Sequence, residues 1–347
     1  MRRALLIPLV LLSSSCLLAI DAGSNASCLA STGSACDAGA DLSDAGTASG
    51  DGGLPAVMLL VDTSGSMNTP LMPTNPECGG CSGASCPQNC PTRASVLKGG
   101  MSQFLQAQLG SAWLGLTTFP DPDLNATFTP SGCAPATTQA VPLTTAPGDS
   151  AASVAAQSQA VLARVQAFGS REGPFTGGTP TAASLRFLAT LPALAPSARP
   201  TGVILVTDGL PNCNPNNALS CTASPAHAQS LCTLGTNCVG PYCRAGYLDS
   251  DETVSAVRAL RSAGVKVAVI GLGADFSSPV AAAVMNAVAD EGGATACAPG
   301  VTCAKRYFEA NNEAQLLGSL ATPYCACLSD SEPVGRVVLG QIARLRA

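Results

Sequence analysis

The apolar run Ala56 to Val61, AVMLLV, leads directly into Asp62-Thr63-Ser64-Gly65-Ser66-Met67. A strand that stops at one carboxylate followed by two hydroxyls in alternate positions directs three oxygen donors to a common point in the loop. Oxygen-only donors suit a hard cation, Mg2+ or Ca2+, and the smaller ion prefers octahedral geometry with retained waters. Two later stretches also carry small polar groups at the edge of a regular element. Gly177-Gly178-Thr179-Pro180-Thr181 opens a helical pattern, and Val206-Thr207-Asp208-Gly209 closes the apolar run from Gly202. Taken singly, the first reads as a helix N-cap and the second as a turn.

Taken with Asp62-x-Ser64-x-Ser66 after its strand, the three stretches acquire a common meaning. The pattern resembles the metal-ion-dependent adhesion site of von Willebrand factor A and integrin inserted domains. The remaining ligands of that family are a Thr in a loop before a helix and an Asp after the central strand, matched here by Thr179 and Asp208. The resemblance covers about residues 54 to 325. It implies that Ser64 and Ser66 coordinate a divalent metal directly through their hydroxyls. Thr179 would do so directly or through water, and Asp62 and Asp208 mainly through bridging waters. With two carboxylates and no third acidic ligand, the metal stays electrophilic and keeps one position open for an acidic side chain of a protein partner. Mg2+ is the expected ion, with Mn2+ or Ca2+ as alternatives.

Other chemistries find less support. Phosphatases of the haloacid dehalogenase type need a second Asp two residues after the first, and that position is Ser64. The chain has no G-x-S-x-G elbow, no G-x-x-x-x-G-K-[ST] phosphate loop and no H-E-x-x-H motif. Hydrolytic triads and most catalytic zinc sites depend on histidine, and the one histidine, His227, sits in a Cys-rich loop beside Pro225 and Ala226. No catalytic residue is assigned, and the reading is not an enzyme. Its alternatives are a structural or assembly component of the envelope with a stabilising metal, and a metal-dependent hydrolase.

Seventeen cysteines point to an oxidising compartment. Cys78, Cys81, Cys86 and Cys90 lie close enough for a metal cluster, but their spacing matches no zinc ribbon, and disulfides are the expectation. Cys213, Cys221, Cys232, Cys238 and Cys243 are odd in number and need a partner elsewhere, for which Cys133 is a candidate. Cys297 and Cys303 form a plausible local pair, as do Cys28 and Cys36. Cys325 and Cys327 are expected to bond to different partners.

The elements that must hold these residues alternate along the chain. Continuous apolar runs recur at Trp113, Gly202 and Val265, as in strands buried on both faces of a parallel sheet. Between them, helical patterns run from Arg93 to Leu109, Ser150 to Phe168, Thr179 to Leu191, Asp251 to Ala263 and Pro279 to Asp290. A short strand at Arg306 to Ala310 and a helix from Asn312 to about Leu320 complete the series. The segment from Leu124 to Pro147 has room for an edge strand. The expected fold is α/β, a doubly wound, mostly parallel, Rossmann-like sheet with helices on both faces. Two Cys-rich insertions, 68–91 and 212–247, each follow a strand end that carries a candidate ligand. Both should flank the rim at the carboxyl ends of the strands.

The chain start carries Arg2 and Arg3, an apolar stretch from Ala4 to Leu12, then Ser13, Ser14, Ser15 and Cys16. This is the form of an export signal, too short to span a bilayer. It resembles a bacterial lipoprotein signal, with Cys16 as the lipidated residue, although Ser13 stands where such signals place Leu. The other reading is an ordinary signal cut after Ala19 or Ala22. Residues 21–53 are Ala, Gly, Ser, Asp and Thr without hydrophobic periodicity, as in a flexible tether. The expected plan is therefore signal 1–20, linker 21–53, von Willebrand factor A-type domain 54–330 and tail 331–347. With 17 basic against 22 acidic residues and no basic run, nucleic acid is excluded as a partner. Membrane attachment is expected through the N-terminal lipid only. These readings converge on an exported, metal-dependent adhesion or protein-binding domain. It would be lipid-anchored at the outer membrane or cell surface, or otherwise periplasmic or extracellular.

Overall fold

β1 (Ala56–Asp62) is buried along its whole length because it has a strand on either side. It pairs in parallel with β2 (Trp113–Phe119), Ala56 opposite Trp113, and with β3 (Thr201–Thr207), Ala56 opposite Thr201. Both faces of such a strand meet protein, so every side chain from Ala56 to Val61 is apolar and not merely alternate ones. β4 (Lys266–Leu272) adds in parallel to β3, and β5 (Gly293–Ala294) and β6 (Phe308–Ala310) both pair in parallel with β4. The strand order is β2-β1-β3-β4-β5, with β6 on β4.

The computed structural model describes residues 54–72, 75–121, 133–144, 150–169, 175–195, 199–213, 249–273, 276, 279–297 and 303–328. The signal segment with Cys16, the tether 21–53, most of the second insertion including His227, and the tail 331–347 lie outside them. Among the described residues, no helix is long and apolar enough to cross a membrane.

Side chains of the central strands alternate between two cores, one on each face of the sheet. Val57, Leu59, Val61, Ile204, Val206 and Ile270 enter the first, beneath α1 (Arg93–Ala107), α2 (Ala151–Ala167) and α6 (Glu313–Leu328). Met58, Leu60, Val203, Leu205, Val267 and Val269 enter the second, beneath α3 (Thr181–Leu188), α4 (Ser250–Ser262) and α5 (Pro279–Gly292). The molecule is thus a doubly wound α/β sheet with helices on both faces, as the alternating runs imply.

Where structure and sequence expectation differ, the causes are local. α3 starts at Thr181, two residues later than expected, because Thr179 is held in the preceding loop. α6 extends to Leu328, well past Leu320 and through Pro323. The segment from Leu124 to Pro147 provides no strand among its described residues, only an isolated antiparallel bridge between Val141 and Leu116 on β2. β5, two residues long, is too short to leave a hydrophobic pattern.

Both insertions are closed at the neck. In the first, Leu71 N–H donates to Pro91 O at 2.9 Å and Arg93 N–H to Thr69 O at 3.1 Å, so the chain returns to where it left. Nested disulfides, Cys78–Cys90 around Cys81–Cys86, hold the excursion. In the second, Asp249 N–H donates to Pro211 O at 2.8 Å. Cys213 bonds to Cys133, and Cys297 to Cys303.

Candidate metal centre

From β1 the chain moves outward to β2, then crosses back to β3 on the other side. β1 and β3 are therefore adjacent strands whose outgoing connections diverge. The crevice at their carboxyl ends is where open α/β sheets bind ligands. Asp62 ends β1, and Asp208 follows the last residue of β3. Both carboxylates are fully buried, as are Ser64 and Thr179 to within a few per cent.

A continuous set of hydrogen bonds joins these groups. Asp62 Oδ1 accepts from Ser64 N–H at 2.8 Å, and Asp62 Oδ2 accepts from the Thr207 hydroxyl at 2.6 Å. The Ser64 and Ser66 hydroxyls lie 3.0 Å apart, and Ser66 Oγ donates to Asp208 Oδ1 at 2.8 Å. Thr179 comes from a separate loop that is fastened to the first. Gly65 N–H donates to Gly177 O at 3.0 Å, and Thr176 N–H to Thr63 O at 3.2 Å. Gly177 has φ 87°, a left-handed turn that glycine adopts without strain. A Cβ on Gly209 would lie 3.6 Å from Thr179 Oγ1 and 3.9 Å from Ser66 Oγ, so both hydroxyls border the same small space. The structure thus gathers Asp62, Ser64, Ser66, Thr179 and Asp208 around one point.

Three residues support this set without standing out in the sequence. Thr207 supplies the second donor to Asp62. Asn212 clamps Thr179, accepting its N–H on Oδ1 at 2.7 Å and donating its own N–H to Thr179 O at 2.9 Å. Arg93, the first residue of α1, places Nη1 3.0 Å from Asp208 Oδ2. Thr207 was legible only as the residue before Asp208, and Arg93 only as a helix start.

The electrostatics fit a cation. Burial, then the neighbouring Asp208, push the Asp62 carboxyl up from its ordinary 3.8 to about 7, against the hydrogen bonds from Ser64 and Thr207. Two neighbouring buried carboxylates are costly when both are ionised; Arg93 offsets part of that cost at Asp208, and a dication held by these residues would remove more of it. The donors are hydroxyl and carboxylate oxygens. Among the described residues no three or more His, Cys, Asp and Glu side chains are grouped to hold a metal ion, so a cation here would rest on hydroxyl as well as carboxylate oxygens. Such a set fits Mg2+, Mn2+ or Ca2+.

No family model matches the chain, and no curated protein does. Solved structures of similar shape exist. A point mutant of the PilB minor pilin from Streptococcus sanguinis is 17% identical with a TM-score of 0.46, over 82% of this chain and 63% of that one. The pilus adhesin SpaC from Lactobacillus rhamnosus GG is 14% identical with a TM-score of 0.44, over 82% and 31%. The manganese-loaded TRAP protein of Plasmodium vivax is 15% identical with a TM-score of 0.41, over 77% and 72%. The chain thus spans less than two thirds of the pilin and less than one third of the adhesin. The pilin, adhesin and manganese descriptions belong to those proteins.

Proposed function

We propose that residues 54–330 form a von Willebrand factor A-type binding module. Its candidate ligands Asp62, Ser64, Ser66, Thr179 and Asp208 hold one divalent cation, Mg2+ in the first instance and otherwise Mn2+ or Ca2+. The observation that carries this reading is the unbroken network from Asp62 through Ser64 and Ser66 to Asp208 at the switch between β1 and β3. When bound, the cation supplies a Lewis-acidic coordination position for a carboxylate.

The chain's own residues do the rest. Asp62 and Asp208, each held at both oxygens, would hold the cation mainly through water. Ser64, Ser66 and Thr179 present their hydroxyls, and the disulfide-bonded first insertion stands beside the rim as a recognition surface. In this reading the module binds an acidic group of a protein partner and does not turn it over. The chain's start fits export, with Cys16, inside the signal segment 1–20, as the candidate lipidation site. The tether 21–53 would then display the module at the cell envelope, with 331–347 as a tail.

The test is capture of partners from native envelope, with and without chelator. Partner binding should vanish on chelation and return with Mg2+ or Mn2+. Asp62→Ala and Asp208→Ala should each lose that binding while still being secreted in folded form. Metal-free capture by both variants would overturn the reading. A large metal-dependent melting shift with no metal-dependent partner would replace it with a purely structural ion.

A further inference from the structure

Arg93 is 2% exposed, and its guanidinium reaches Asp208 of the candidate site. Nη1 lies 3.0 Å from Asp208 Oδ2 and 3.4 Å from the Asp208 backbone oxygen. Three features of the fold put it there. The closed neck of the first insertion fixes its backbone through Thr69 O. It is the first residue of α1, just after the N-cap Thr92, whose hydroxyl accepts from Ser95 N–H at 3.1 Å. Gly273, at φ 89°, leaves room for it, because a Cβ there would come within 3.3 Å of Arg93 Nε. Burying a guanidinium is costly unless it meets a fixed anion, so this position has a specific electrostatic use.

The division of Asp208 is informative. Oδ1 accepts from Ser66, on the side of the gathered hydroxyls, whereas Oδ2 is occupied by Arg93. Oδ1 is thus the oxygen on the side of the site, and Oδ2 is the one engaged by the guanidinium. The buried guanidinium also offsets one of the two carboxylate charges. With a dication present, the assembly would carry a net single positive charge where two carboxylates alone would leave it neutral.

Resting on the function proposed above, we infer that Arg93 is a positioning and charge-setting residue of the metal site. It turns Oδ2 of Asp208 away from the cation, so that the cation binds less tightly but attracts an acidic ligand more strongly. A role confined to stability would act differently, because losing it could only loosen the site.

The experiment is titration of Mn2+ into the full secreted protein by calorimetry. Wild type is compared with Arg93→Met, which removes the charge, Arg93→Gln, which keeps an amide donor, and Arg93→Lys, which keeps the charge. Arg93→Met and Arg93→Gln should bind Mn2+ on the order of tenfold more tightly, since a nearby unit charge no longer opposes the dication. Arg93→Lys should stay within about threefold of wild type. Once loaded, the two neutral variants should bind acetate several-fold more weakly, read from water-proton relaxivity. Unchanged or weaker Mn2+ binding by whichever neutral variant folds overturns the role of Arg93 alone. Failure of the wild type to bind Mn2+ overturns the metal site itself, and the two failures are therefore distinguishable.

Discussion

Asp62 is the residue at which the site's chemistry is most exposed to measurement. Burial, then Asp208, push its folded carboxyl up to about 7 from the ordinary 3.8. Between those values the metal-free folded state binds more protons than the unfolded state. The stability this group contributes is therefore full below pH 3.8 and is lost as pH rises through 7. A divalent cation favours the ionised form, so added Mg2+ should raise the melting temperature more at about pH 8 than at about pH 5. An equal or reversed effect in parallel thermal melts would argue against a cation at Asp62. Thr207 provides a second handle, because its buried hydroxyl donates to Asp62 Oδ2 at 2.6 Å. Thr207→Val keeps the shape and deletes that donor. At about pH 8 it should cost about 1–3 kcal/mol in denaturant titrations of the metal-free protein, the usual cost of an unsatisfied buried acceptor.

At the scale of elements, the loop 175–179 is fixed by what packs behind it. A Cβ on Gly178 would stand 2.4 Å from Cys213 Sγ and 2.9 Å from Asn212 Oδ1. The sulfur is tied to Cys133 and cannot move aside, so Gly178→Ala must displace the loop and Thr179 with it. The expected outcome is a loss of about 1–3 kcal/mol in stability, the usual range for overpacking, together with weaker Mn2+ binding in the same calorimetric assay. Normal metal affinity in that variant would mean that Thr179 is not a ligand. This dependence also shows what the sequence made legible. The central strands announced themselves because burial on both faces demands apolar side chains at every position. Asp62, Ser64 and Ser66 could be singled out because one turn of chain carries all three. The contributions of Arg93 and Asn212 depend instead on how two insertions close. Arg93 lies 115 residues from Asp208 and Asn212 lies 33 from Thr179, separations that no periodicity spans. β5 pairs through two residues only and left no pattern to find.

For the whole molecule, a rim built from separate loops has to keep one geometry. Covalent closure limits the freedom these loops would otherwise have. In the chain-entropy account a cross-link stabilises by restricting the unfolded chain, and more so as the closed loop lengthens. Cys133–Cys213 closes a separation of 80 residues and joins the connection after β2 to the one after β3, directly behind Gly178. Cys297–Cys303 closes a separation of 6 at the far side of the sheet. Removing the first pair as Cys133→Ala with Cys213→Ala should therefore cost about 4–5 kcal/mol, against about 2 kcal/mol for the second pair, both by denaturant titration. The two losses should also differ in kind. Only the first should weaken Mn2+ binding, because only that bridge backs the Thr179 loop. Equal losses of metal affinity from both pairs would show that the bridges act through global stability and not through the rim.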